Sequence, residues 1–261
     1  MPAGGGEERR WDDGLVSIVT PAYKAAATIG ETIRSVQAQT WPHWEMIVVD
    51  DRSPDDTFAI VAAEAARDPR IVAVRQERNG GPAAARNASL ERARGRWVAF
   101  LDADDLWLPP KLERQLALMR ETGCVLSCTG YRRMLADGSR IGGVVPVPAR
   151  FDYARMLRGN DVATLTAMVD RAQAGDIRMQ AVGYDDYALW LSILRRGGEG
   201  RGLAEDLARY RVLGGSVSSR PMRSIGWTWR IYREVEGLSL TRALWCMGFY
   251  GWKAVMRRRT L

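Results

Sequence analysis

Short apolar runs alternate with amphipathic stretches through the first half of this chain, and that rhythm constrains the fold more than any other feature. Leu15-Val16-Ser17-Ile18-Val19, Glu45-Met46-Ile47-Val48-Val49, Ile71-Val72-Ala73-Val74 and Trp97-Val98-Ala99-Phe100-Leu101 read as strands, with another strand near Val125. Helical patterns separate them, running from about Thr28 to Gln39, Asp56 to Arg67, Pro82 to Ala93 and Pro110 to Glu121. Strands alternating with helices of this length predict βαβ units and a mostly parallel sheet. Ligands of such sheets sit at the carboxyl ends of the strands, so the residues at the strand exits carry the functional argument.

Acids crowd two of those exits. Asp102-Ala103-Asp104-Asp105 follows the strand at Trp97–Leu101, and Leu106-Trp107-Leu108-Pro109-Pro110 then breaks the chain. Crowded carboxylates repel one another, and a divalent cation relieves that repulsion. If the strand continues, alternation puts Asp102 and Asp104 on one side. Hard oxygen ligands of this kind suit Mg²⁺ or Mn²⁺ bridging to diphosphate oxygens. An Asp-rich turn capping the next helix is the competing reading. At the second exit, Asp50 and Asp51 can accept from a base N–H or a ribose hydroxyl, while Ser53 to Asp56 suit helix capping.

Three further segments are candidates. Pro21-Ala22-Tyr23 ends the first strand, and Tyr23 can cover a planar base or simply pack. Asn79-Gly80-Gly81-Pro82 feeds a helix start that attracts anions, with Arg86 one turn on, able to meet a phosphate. It is no P-loop, and no GxGxxG follows the first strand. Asp185-Asp186 opens a helix whose Leu189, Trp190, Ile193 and Leu194 share one face; the pair reads as a cap or as a general base. His43 is the only histidine, which excludes chemistry needing two.

The formal net charge of +7 is uneven. From Arg220 onward there are nine Lys or Arg against two Glu, so the first 219 residues are balanced. That argues against nucleic-acid binding by the body and for an anionic surface met by the tail. Trp227, Trp229, Trp245, Phe249, Tyr250 and Trp252 among those bases suit an interfacial segment on an anionic membrane, or a helix packed on the core. Three cysteines in no metal-like pattern fit a reducing, cytoplasmic setting. No run of about 20 apolar residues is present. Gly-rich residues 1–14 read as a flexible leader. The middle, about Gly130 to Gly183, is irregular, with a hairpin turn at Asp137-Gly138. From Ser224 to Arg259 the pattern is helical, interrupted near Gly237.

Taken together, "VSIVTPAYKAAATIGETIRSVQAQTWPHWEMIVVDDRSPDDT", "NGGPAAARNASLERARGRWVAFLDADDLWLPPKLERQL", "DDYALWLSILRRG" and "YRVLGGSVSS" resemble family 2 glycosyltransferases of the GT-A fold. The resemblance spans about Leu15 to Ser219. The tail "TWRIYREVEGLSLTRALWCMGFYGWKAV" is similar to enzymes of teichuronic-acid and other exopolysaccharide synthesis. The resemblance implies an α/β, Rossmann-like, mostly parallel central sheet flanked by helices, with a C-terminal helical extension. Residues 15–125 would form the nucleotide-sugar half, 126–219 the acceptor half and 220–261 the basic aromatic tail. It implies that Pro21, Ala22, Tyr23 and Asp51 line the nucleoside pocket, usually for uridine, with Arg86 near the donor. Asp102-Ala103-Asp104 would be the Asp-x-Asp motif, Asp104 the direct metal ligand and Asp105 beside it, holding Mg²⁺ or Mn²⁺. Asp186 would be the catalytic base, with Asp185 where Glu is usual. Leu213 stands where many relatives carry a histidine, and the loop Gly214–Ser219 could close over the donor. The implied reaction is an inverting transfer from a nucleotide-diphosphate sugar, such as a UDP-sugar, to a glycan or polyprenyl-linked acceptor. Its implied place is the cytoplasm, or the cytoplasmic face of the membrane. A non-catalytic sugar-nucleotide-binding protein and a nucleotidyltransferase are the alternatives.

Overall fold

Strand and helix alternate as the sequence predicts. The order is β1 (Asp12–Ala22), α1 (Ile29–Gln37), β2 (Trp44–Asp50), α2 (Thr57–Arg67), β3 (Ile71–Arg75), α3 (Pro82–Arg92) and β4 (Gly95–Phe100). There follow β5 (Leu106–Trp107), α4 (Lys111–Thr122), β6 (Leu126–Leu135), β7 (Ile141–Val145), β8 (Arg150–Phe151) and α5 (Tyr153–Met156). A 3-10 turn (Thr164–Thr166), β9 (Met168–Asp170), α6 (Arg171–Ala174), α7 (Asp185–Leu194) and β10 (Gly200–Val212) complete the body. The tail is α8 (Pro221–Arg230), a π-helical turn (Ile231–Val235) and α9 (Leu240–Arg258). This computed structural model describes residues 11–212 and 221–258, with side chains at all of these except 221, 222 and 253–258. The loop Gly214–Ser219 and Leu213 lie outside the described residues, as do residues 1–10.

The strands join one sheet in the order β3-β2-β1-β4-β9-β6-β10-β5, with β7 on β6 and β8 on β10. The β3-β2-β1-β4 half is parallel throughout. β9 then runs antiparallel to both β4 and β6, and β10 is parallel to β6. The sheet is therefore mixed, with its parallel part in the nucleotide half. After β1 the chain moves outward through β2 and β3, and α3 then carries it back across to β4 on the other side of β1. That reversal places a crevice at the carboxyl ends of β1 and β4, the switch point at which such sheets bind ligands.

Pleating explains the two layers around the sheet. Val16 and Ile18 of β1, with Trp97, Ala99 and Leu101 at β4, pack against Ile29, Ile33 and Val36 of α1 and Leu112 and Leu116 of α4. The alternate residues Val19, Val98 and Phe100 face α3 and α7. There Phe100 meets Trp190 edge-on at 5.2 Å between ring centroids. Period-2 alternation on the strands and a one-sided apolar stripe on α1 produce this layering.

Two expected boundaries move. β1 begins at Asp12, pairing with Gly95, so residues 12–14 belong to the sheet and not to a leader. The tail from 220 is no separate unit either. Ile231, Tyr232, Leu238, Ala243 and Cys246 share one buried cluster with Tyr187 and Trp190. Tyr232 Oη donates to Leu157 O at 2.7 Å and lies 3.1 Å from Tyr187 Oη. Packing thus continues well past the expected edge at Ser219. All three cysteines are buried and unbridged.

Candidate active site

The Asp102–Asp105 segment leaves β4 as a turn, not as a continued strand. Asp105 N–H donates to Asp102 O at 3.1 Å, and this closure brings Asp102 and Asp104 together where pleating was expected to. α1 holds the turn from below: Thr28 Oγ1 and Thr32 Oγ1 donate to Ala103 O at 2.9 and 3.0 Å, and Thr32 Oγ1 also to Asp105 O at 2.9 Å. Asp102 and Asp104 remain half-buried at the cleft. Burial and the neighbouring Asp102 charge push the Asp104 carboxyl up to about 6. Asp105 departs from the expected role. The turn rotates it inward, where it is buried and its Oδ1 accepts from Arg211 N–H at 2.8 Å.

Arg211 is the residue the sequence reading passed over. It is buried near the end of β10. Its Nε donates to Asp104 O at 2.8 Å, Nη1 to Ala136 O at 2.6 Å and Nη2 to Glu31 Oε2 at 2.5 Å. β5 brings β10 alongside, Arg209 pairing with Leu106. One planar guanidinium therefore ties the acidic turn to α1 and to the β6–β7 hairpin.

At the second exit the two acids divide the work. Asp50 was expected to face ligand, but it is buried. Its carboxylate accepts from Ser53 N–H at 3.2 and 3.3 Å and lies 3.4 Å from Arg75 Nε. Its job is closing the turn after β2. Asp51, expected to face ligand too, is also buried and reaches across to the next loop: Oδ1 accepts from Gly80 N–H at 2.7 Å and Oδ2 from Gly81 N–H at 2.8 Å. Gly81 has φ +82°, a left-handed conformation that costs glycine little. The N–H groups of the glycine turn just before the helix are thus taken by Asp51. Pro21 is half-buried, Ala22 buried and Tyr23 48% exposed, with Lys24 Nζ 5.4 Å from its ring centre. The capping of α2 comes from Asp55, which accepts from Thr57 N–H and Oγ1 at 3.2 and 2.6 Å.

Arg86 pairs with the acidic turn. It is buried on α3, and its Nη2 lies 2.5 Å from Asp102 Oδ1. Asp186 and Asp185 also act on its charge, and its buried Nε has no hydrogen-bond partner. Asp185 closes the turn that leads into α7: its Oδ1 accepts from Val182 and Gly183 N–H at 2.9 and 3.0 Å. Gly183, at φ +100°, gives the turn into α7 its left-handed bend, and Trp227 of α8 occupies the space a Cβ would need. Asp186 follows Asp185 in the first turn of the helix, with Thr164 Oγ1 donating to its Oδ2 at 2.9 Å. Burial pushes the Asp186 carboxyl up; the Thr164 hydrogen bond and Arg86 pull part of that shift back. His43 sits at the opposite end of the sheet, before β2, edge-on to Trp41.

Residues 17–161 match the family model for glycosyl transferase family 2, more than half of the chain. TuaG of Bacillus subtilis, assigned by name to teichuronic acid biosynthesis, is 44% identical over 94% of this chain and 97% of its own length. The chain belongs to glycosyl transferase family 2. A second relative in that family is Escherichia coli WfaP, named as a UDP-Glc:α-D-GlcNAc-diphosphoundecaprenol β-1,3-glucosyltransferase. It is 33% identical over 90% of this chain and 92% of its own. The fold is GT-A, as the solved structures bear out. S. aureus TarS bound to UDP-GlcNAc superposes with a TM-score of 0.70 at 22% identity, over 88% of this chain and 68% of that one. The Pyrobaculum calidifontis mannosyltransferase PcManGT, bound to GDP-Man and Mn²⁺, superposes with a TM-score of 0.66 at 20% identity, over 89% and 69%. Membership of this family makes glycosyl transfer, not nucleotidyl transfer, the chemistry of the chain.

Proposed function

We propose that this glycosyltransferase moves a sugar, with inversion, from a nucleotide-diphosphate sugar to a hydroxyl of a lipid-linked glycan in cell-surface polysaccharide synthesis. One observation carries the reading. Arg86 pairs with Asp102 at 2.5 Å on the donor side of the cleft, near enough to Asp186 for their opposite charges to act on each other. A reacting sugar between them meets phosphate-binding groups on one side and a base on the other. UDP-Glc and the undecaprenol-linked acceptor in the name of WfaP, and UDP-GlcNAc on TarS, favour a uridine donor and a polyprenyl-linked acceptor here.

In this reading Pro21, Ala22, Tyr23 and Asp51 bound the nucleoside pocket, Asp51 mainly by shaping the Gly80-Gly81 wall. Asp186 takes the proton of the acceptor hydroxyl. The acceptor oxygen forms the new bond to the anomeric carbon as the bond to the diphosphate oxygen breaks, and the diphosphate leaves with that electron pair. A raised Asp186 pKa brings the base nearer working pH, and general-base help of this kind is worth about 10²–10⁴-fold.

The donor set fits a divalent cation of the Mg²⁺ or Mn²⁺ kind. Two half-buried carboxylates, Asp102 and Asp104, crowd at one point and raise Asp104. Among the described residues no group of three or more His, Cys, Asp or Glu is arranged to hold an ion. Two hard ligands leave room for diphosphate oxygens and water, and PcManGT carries Mn²⁺ with its GDP-Man. Such an ion supplies charge to the departing diphosphate.

The tail serves the acceptor in this reading. Ala243 and Cys246 of α9 face the core, while Leu240, Leu244, Trp245 and Trp252 are 52–62% exposed. No helix of the described residues is long and apolar enough to cross a membrane. An exposed Trp/Leu face on a strongly basic tail suits an anionic lipid surface on the cytoplasmic side. The test of the whole reading is sugar transfer from a panel of UDP- and GDP-sugars to a diphosphopolyprenyl sugar, with Mg²⁺ or Mn²⁺. Transfer from at least one donor supports it. Binding without transfer or donor hydrolysis across the panel refutes it and favours a non-catalytic binding protein.

A further inference from the structure

Two features of the fold have no part in the reaction as described so far: the 3-10 turn Thr164–Thr166, and a buried polar cluster beneath it. Lys111 and Gln115, both on α4, have fully buried side chains. Lys111 Nζ donates to Gln115 Oε1 at 2.7 Å and lies 3.9 Å from the Trp107 ring centre. With its oxygen occupied, the Gln115 amide has one orientation, and Nε2 donates to Ser127 Oγ and to Thr166 O, both at 2.9 Å. Trp107 Nε1 donates to the adjacent Leu165 O at 2.7 Å. Thr166 Oγ1 closes the turn on Ala163 O at 2.7 Å. Buried polar groups cost free energy unless they are bonded, and here Gln115 uses both its oxygen and its nitrogen while Lys111 Nζ has the Gln115 oxygen and the Trp107 ring. The result is a rigid bracket on one short turn.

That turn carries Thr164, whose hydroxyl meets Asp186. We propose that Thr164 is a positioning residue for the transfer: its Oγ1–H occupies Oδ2 of Asp186 and so presents Oδ1 to the acceptor hydroxyl. The inference rests on Asp186 being the base. The bracket gives the contact its purpose. β5 and α4, which supply Trp107, Lys111 and Gln115, directly follow the Asp102–Asp105 turn. The donor-side acids and the residue that orients the base therefore hang on one frame, and their spacing is fixed by bonded groups, not by loop packing.

The groups around Asp186 define the test. Arg86 on α3 and Asp102 beyond β4 act on it, as do Tyr184 just before its own helix and the backbone N–H of Tyr187 within it. None of these changes in Thr164→Val, which keeps the shape and removes the donor. The ionised carboxylate then loses a hydrogen bond, so its pKa rises and the acidic limb of kcat/KM for acceptor moves up by about one pH unit. The kcat at neutral pH falls about tenfold or more, with donor KM unchanged. Thr164→Ser restores the hydroxyl and both readings. Should T164V lose the thermal shift that nucleotide produces in the wild type, Thr164→Ala carries the same expectation. A T164V enzyme with the wild-type acidic limb and kcat, its deficit confined to melting temperature, overturns the inference. So does a Ser variant displaced as far as the Val variant. Asp186→Asn separates the two levels. Near-normal transfer by D186N refutes the base itself, whereas a dead D186N beside an unshifted T164V refutes only the role of Thr164.

Discussion

Arg211→Met removes the guanidinium that ties the acidic turn to the rest of the cleft while keeping most of the stem. Three hydrogen bonds go, to Asp104 O, Ala136 O and Glu31 Oε2. Bonds from a charged donor are worth about 1.5–3 kcal/mol each when buried. Two of the acceptors regain water, because Ala136 is exposed and the Glu31 side chain is 50% exposed, so the surface share is discounted. A loss of about 2–4 kcal/mol remains, a large fraction of the roughly 5–15 kcal/mol that holds a typical domain together. Arg211→Lys keeps the charge and one bond and falls between. Urea unfolding, followed by fluorescence of the ten tryptophans, measures this term. Calorimetric titration of UDP with Mn²⁺ measures the second consequence, since the Asp102–Asp104 turn loses its upper anchor and nucleotide affinity falls. An R211M protein within about 0.5 kcal/mol of wild type, binding UDP as before, would refute the reasoning.

Two further predictions rest on the frame and the tail. Burial lowers Lys111 from its ordinary 10.5 to about 7. Between those values the unfolded chain holds the proton and the folded one does not, so stability rises with pH across that window. The slope from this group is up to about 1.4 kcal/mol per pH unit. Lys111→Met abolishes that share, and parallel stability curves for the two proteins from pH 7 to 9 would contradict it. On α9, the triple change Leu244→Gln, Trp245→Gln, Trp252→Gln alters exposed side chains only. Wild type should pellet with phosphatidylglycerol vesicles, less so in high salt, and the triple variant should stay in solution; equal pelleting rules out this face. Deleting the tail is not an equivalent test, because Tyr232 and Cys246 are core.

The parallel half of the fold was legible because its strands and helices carry their own periodicity. Each element from β1 to α4, apart from the two-residue β5, falls within a few residues of its sequence reading. β10 was hidden. Its Gly200-Arg201-Gly202 start and the charges at Glu205, Asp206, Arg209 and Arg211 break any apolar alternation, and its register against β6 shifts twice. The charges are tolerated because partners from distant elements meet them, as Arg132 meets Asp206 at 2.7 Å. At the site, sequence located the acids but not which of them turn inward. Asp50, Asp51 and Asp105 all became internal because a turn, not a strand, follows each exit. Thr164 and Arg211 were passed over for a related reason: their partners lie 22 and 180 residues away, and although Arg211 stands in the YRVLGGSVSS segment, nothing local to that segment names the groups it meets.

The most direct test of the account is the transfer rate of Asp186→Asn beside its affinity for donor. Asn keeps the size of the side chain and can still accept from Thr164, but it is a far weaker base. The account predicts that UDP-sugar and metal bind as in the wild type while transfer falls by about 10²-fold or more. Near wild-type transfer by D186N would contradict it.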